Sequence, residues 1–113
     1  MGRDFLSRTL LLAVVALGIG PYGAAEAAAF NCAQASGCME KVICATPQLS
    51  QLDSRMSSLY FRLQSYANRR GANRLLSSQI AWLSERDTCG CDANCLVTMY
   101  ESRITLFEEV LGQ

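Results

Sequence analysis

From residue 49 onward, apolar residues recur at alternating steps of three and four: Leu49, Leu52, Met56, Leu59, Leu63 and Tyr66. That period fits one face of an α-helix and not the two-residue alternation of a strand. Thr46 and Pro47 supply a start, a threonine at the N-cap and a proline at the first helical position, where its missing N–H is no loss. The pattern fades over 68–71, and Gly71 suits the left-handed residue that closes a helix. A second stripe of Leu75, Leu76, Ile80, Trp82 and Leu83 predicts a helix from an Asn73 cap to about residue 88. Asp92 is placed to cap a third, over 92–111, with Leu96, Met99, Tyr100, Ile104, Phe107, Val110 and Leu111 on one face. Upstream, 37–45 predicts a short helix and 30–36 an extended entry. The expectation is an all-α fold: a small antiparallel bundle of three long helices plus a short N-terminal helix, joined by short connections.

Residues 1–29 carry a different pattern. Arg3 and Arg8 precede an uncharged apolar run over 9–20, then Pro21, Gly23 and small residues up to Ala29. This is the three-part arrangement of a secretory signal peptide, with cleavage expected before Phe30. The run is shorter than the roughly 20 residues a membrane span needs, so no stable membrane insertion is expected after cleavage. The domain is then 30–113, and its location periplasmic or secreted.

Charge narrows the function. From residue 30 on, Lys41 and seven arginines face eight carboxylates. That balance gives no support to nucleic-acid binding. The chain has no histidine, which removes the commonest general base and the commonest metal ligand together. No serine-nucleophile motif, phosphate loop or metal set is present, so no cofactor and no enzymatic activity are expected.

Some polar residues fall inside the apolar stripes. A helical wheel puts Gln79 and Arg86 between Leu75 and Leu83, and Arg103 between Met99, Phe107 and Val110. Asp53 falls beside Leu49 and Tyr60. Arginines aimed at a core need partners, because a lone buried charge is too costly. Asp53 and Glu40 are the available carboxylates, so Arg86 and Arg103 are expected to pair with them in a structural polar network. A polar binding spot is the functional alternative. Trp82, Tyr60, Tyr66 and Tyr100 are expected to pack in the core.

All six cysteines lie in the exported part: Cys32, Cys38, Cys44, Cys89, Cys91 and Cys95. Their spacing matches no usual zinc site and contains no C-x-x-C redox motif. Structural disulfides in an oxidising compartment are the simplest account, with the connectivity open.

An ordered set of short motifs spans nearly the whole exported part. It runs through Phe30-Asn31-Cys32-Ala33, Glu40-x-x-Ile43-Cys44, Pro47-x-Leu49-x-x-Leu52-Asp53 and Tyr60. It continues with Gln79-x-x-Trp82-x-x-x-Arg86-x-x-Cys89 and Cys95-Leu96-x-x-x-Tyr100-x-x-Arg103-Ile104. In these the chain resembles the lysozyme-inhibitor LprI-like family of small exported bacterial proteins. The resemblance implies a helical domain with bridges Cys32–Cys44 and Cys89–Cys95. Cys38 and Cys91 depart from the usual four cysteines and are left for each other. It also implies a protein partner, a lysozyme-type enzyme, which the chain binds and inhibits. The alternative is a non-inhibitory periplasmic protein-binding module on the same scaffold. The expected contact elements are two turns, 68–73 with Arg69, Arg70 and Arg74, and 90–94 with Asp92.

Overall fold

A computed structural model of the protein describes residues 30–112. The expected signal segment, residues 1–29, lies outside the described residues. After a 3-10 turn at Cys32–Gln34 come α1 (Gly37–Ala45), α2 (Pro47–Tyr66), α3 (Arg69–Asp87) and α4 (Ala93–Gly112). No strand occurs among the described residues. The chain is an all-α bundle of three long helices and one short one.

Most helix ends follow from local chemistry. Asn31 opens the 3-10 turn by accepting from the Ala33 amide, so the expected extended entry is partly wound. Gly37 has φ +76°, a conformation glycine adopts at no steric cost, so it is suited to turning the chain into α1. Thr46 stands at the N-cap of α2 but its side chain makes no capping bond, and Pro47 takes the first helical position. Asp92 caps α4 by accepting from the Cys95 amide at 3.2 Å.

The join between α2 and α3 corrects the sequence reading. Expected as a loop over 68–73 with Asn73 as cap, it is two extended residues, Ala67 and Asn68, and the Asn68 side chain caps α3 by accepting from the Gly71 amide at 2.8 Å. Gly71 closes no helix. It lies in the first turn of α3, where a Cβ would come within 3.3 Å of Ala67 Cβ and Asn68 Oδ1. The glycine is there for close approach.

Cross-helix contacts fix the directions. Met56 of α2 meets Gln79 of α3, each about equally far from the join, so these two helices run antiparallel. Asp53 meets Tyr100, and Tyr60 packs on Phe107, so α2 and α4 run parallel. These two form the most closely packed pair of long helices. Their shared core includes Leu49, Leu59, Leu96, Tyr100 and Phe107, each at most 2% exposed. Burying each such side chain is worth roughly 1.5–3 kcal/mol. Helix α1 lies across the start of α2, held by fully buried Ile43 and by the Ser50 hydroxyl, which donates to the Ile43 carbonyl at 2.6 Å.

The bridges are Cys32–Cys44, Cys38–Cys91 and Cys89–Cys95, with Cα–Cα distances of 5.7, 5.4 and 5.6 Å. All three gather at one end of the bundle, where α1, the start of α2 and the α3–α4 turn meet. Gly90, at φ +59°, shapes that turn between two bridged cysteines. The opposite end, around the α2–α3 join, carries no bridge. Among the described residues no helix is long and apolar enough to cross a membrane.

Candidate functional site

Helix α3 is held to the other two by long side chains more than by close backbone packing. Its inward residues are Gln79, Trp82 and Arg86. Trp82 meets Tyr100 edge to face at 5.1 Å. Around this ring pair sit two arginines, each with its guanidinium 6.0 Å from the Trp82 ring.

The Arg86 cluster is centred on a tyrosine that the sequence reading had treated only as core. The Tyr100 hydroxyl donates to Asp53 Oδ1 at 2.6 Å and accepts from Arg86 Nη1 at 3.1 Å. Arg86 Nη1 itself stands 4.0 Å from Asp53 Oδ1, so ion pair and relay share one spot. The outer edge of the guanidinium reaches Asp87 at 3.1 Å. Burial pulls the Arg86 pKa down, but the Tyr100 oxygen and Asp87 outweigh it and leave it raised. Burial and the Asp53 carboxylate push the Tyr100 hydroxyl well above its ordinary range.

Arg103 and Glu40 depart from expectation. Among the described residues Arg103 pairs with no carboxylate. Its Nε and Nη2 donate to Gln79 Oε1 at 3.1 and 3.0 Å, Nη2 also to Ser78 Oγ, and its plane lies over Phe107 at 4.5 Å. The Gln79 amide nitrogen in turn donates to Met56 Sδ at 3.0 Å, so one amide ties α2, α3 and α4 together. Burial lowers the Arg103 pKa, with Glu85 and Tyr60 opposing. Glu40 turns back to accept from the Ser36 amide at 3.0 Å at the start of α1. The physical reason is axial level. A wheel gives the direction of a side chain, whereas Asp53 sits at the level of Tyr100 and Arg86, one turn away from Arg103. No buried side-chain polar atom among the described residues lacks a partner.

The chemistry-bearing groups of the interior are therefore bound to one another, in a network that fixes three helices in register. What the molecule offers to a partner lies outside. Arg69, Arg70 and Arg74 line a shallow depression with Asn73 and Ser77 at the start of α3. These arginines stand on helical turns and not on the loop expected for them, and none of them forms an ion pair among the described residues. A groove of about 400 Å³ between α2 and α3 has exposed Phe61, Leu76 and Ile80 on its walls and Asp53, Gln79 and Arg86 among its lining. Leu76 and Ile80, expected in the core with Leu75, Trp82 and Leu83, are 48% and 59% exposed. Tyr66 and Val110 also lie outside, at 74% and 46%. Asp92 of the second expected contact turn is exposed and its carboxylate is engaged in capping α4.

A helical scaffold stapled by three disulfides, with its interior ionisable groups bound to one another, places the molecule in the class of small disulfide-stabilised helical domains. The comparison with family models is specific. The model described as lysozyme inhibitor LprI matches residues 31–106, most of the chain, and the protein belongs to that family. No curated protein and no solved structure matched it.

Proposed function

We propose that the protein is exported to the bacterial envelope, is oxidised there, and binds and inhibits a lysozyme-type muramidase. Membership of the lysozyme inhibitor LprI family is the observation that carries this reading. The three disulfides fit an oxidising compartment. The protein acts by occupying its target, with no turnover of its own.

The contact face in this proposal is the exposed start of α3, with Arg69, Arg70 and Arg74. A muramidase cleft is built around a pair of carboxylates. Guanidinium groups bind carboxylates in a bidentate fork, and a rigid helix presents them with little entropy to lose. Arginines with no ion pair among the described residues are available for that use. Asp92 is left out of the contact because its carboxylate serves as the α4 cap.

The test is a muramidase assay titrated with the oxidised protein, beside a reduced and alkylated control. Inhibition by the oxidised form alone is expected. Full muramidase activity at a large excess of oxidised protein would sink the proposal and leave a non-inhibitory binding module on the same scaffold.

A further inference from the structure

Helix α3 carries a second seam beside its core-facing side, in which Leu83 is partly buried against the core and Leu76 and Ile80 are exposed. Arg69, Asn73, Leu76, Ile80, Leu83 and Asp87 follow at alternating steps of four and three, the spacing of the a and d positions of a coiled coil. Leu76 and Ile80 are 48% and 59% exposed, and Phe61 of α2, 60% exposed, lies beside them along the same groove. An apolar strip of this kind on a small exported domain marks a contact surface.

The seam is self-complementary. Arg69 and Asp87 are equally far from residue 78 along the helix, as are Asn73 and Leu83, and Leu76 and Ile80. Under a twofold axis at that level, each residue of one copy meets its counterpart of the other, as an isologous interface requires. Antiparallel pairing brings Arg69 against Asp87 of the second copy at both ends. Parallel pairing would set like charges against each other at both ends instead. The Asp87 side chain is 55% exposed and has room for a second cation beside Arg86.

We propose that the exported protein forms an antiparallel twofold dimer through this outer seam of α3, with Leu76 and Ile80 packed across the axis and Arg69–Asp87 pairs closing each end. A seam this short is marginal between free helices. Here α3 is already ordered within the bundle, so little conformational entropy remains to be lost. Arg70 and Arg74 project well to one side of the seam, so a dimer still presents them outward, once on each copy. Arg69 is shared with the proposed muramidase contact, so in the dimer that contact is left to Arg70 and Arg74, and the oligomeric state is read without any muramidase present.

The experiment is sedimentation equilibrium of the disulfide-bonded protein recovered after export, from micromolar to millimolar concentration. A monomer–dimer equilibrium is expected. Ile80→Glu sets a carboxylate against Leu76 of the second copy and is expected to weaken the dimer by about 100-fold or more. Its melting curve, taken at low concentration, shows that the fold survives. Asn73→Leu replaces the polar residue in the seam and is expected to tighten the dimer by about 10-fold. Thr105→Glu, on the exposed side of α4, is expected to leave it unchanged. A single-chain mass throughout, a dimer unmoved by Ile80→Glu, or no tightening with Asn73→Leu would each overturn the proposal.

Discussion

The Tyr100 hydroxyl donates to the Asp53 carboxylate at 2.6 Å across 47 residues of chain. This bond ties the parallel pair α2 and α4 at the level where Arg86 enters from α3. Asp53 is 2% exposed and Tyr100 fully buried, so water cannot replace what either group loses.

Tyr100→Phe removes this relay and keeps the ring. Arg86 Nη1 then loses its Tyr100 acceptor and Asp53 Oδ1 loses a short bond. The expected cost is about 1–3 kcal/mol. Arg86→Met removes the cation facing a carboxylate of 3% side-chain exposure and should cost more, about 3 kcal/mol or above. Urea unfolding of both variants beside the parent checks the order. Arg86→Met at parental stability would contradict a buried pair.

How much of this was legible in the sequence differs by feature. The helices were, because an apolar period is a local signal that tertiary packing seldom overrides over such lengths. The inward direction of Gln79, Arg86 and Arg103 was legible too, because a wheel reports direction. It does not report axial level, so Arg103 was assigned a carboxylate where the fold supplies the Gln79 amide. Tyr100 was missed as a hub because a tyrosine suits an apolar stripe whether or not its hydroxyl has a task. Leu76 and Ile80 were placed inside because α3 has two apolar faces, and a single sequence cannot say which of them the bundle covers. Gly71 was read as a stop because glycine serves both helix closure and close approach.

Alkaline pH should act through Tyr100. An unfolded tyrosine ionises near about pH 10, and the folded hydroxyl is held well above that by burial and the Asp53 carboxylate. Above about pH 10 the unfolded chain releases a proton that the native state keeps, so stability falls as pH rises from there. Below that pH this contribution is fully present. Phenolate absorbance checks it: before unfolding, Tyr100→Phe and the parent should give the same amplitude. A parent amplitude larger by one tyrosine would show that Tyr100 titrates freely.

The Cys38–Cys91 bridge spans 53 residues and is the one that joins α1 to the α3–α4 turn. Chain-entropy arguments assign a loop of that length about 4 kcal/mol. Replacing both cysteines with serine should lower stability by up to that amount. The two local bridges should still form, since each closes within its own segment. Unfolding curves together with unreduced peptide maps measure both. A loss far below 1 kcal/mol, well under the entropic estimate, would mean that the bridge adds little to a turn already held in place.

Arg70→Glu should separate binding from stability. Arg70 lies in the first turn of α3, where the helix dipole disfavours a cation, and Arg74 stands four residues on along the same face. A glutamate there meets the favourable end of the dipole and turns the Arg70–Arg74 repulsion into an attraction. The expected gain is about 0.5–1.5 kcal/mol, the sum of a dipole and an i,i+4 contribution. If the start of α3 is the face that meets the muramidase carboxylates, the same substitution should abolish inhibition while raising the melting temperature. A purely structural role for Arg70 predicts stability and inhibition moving together. A variant that is more stable and inhibits as well as the parent would remove this face from the contact while leaving the muramidase target itself in place.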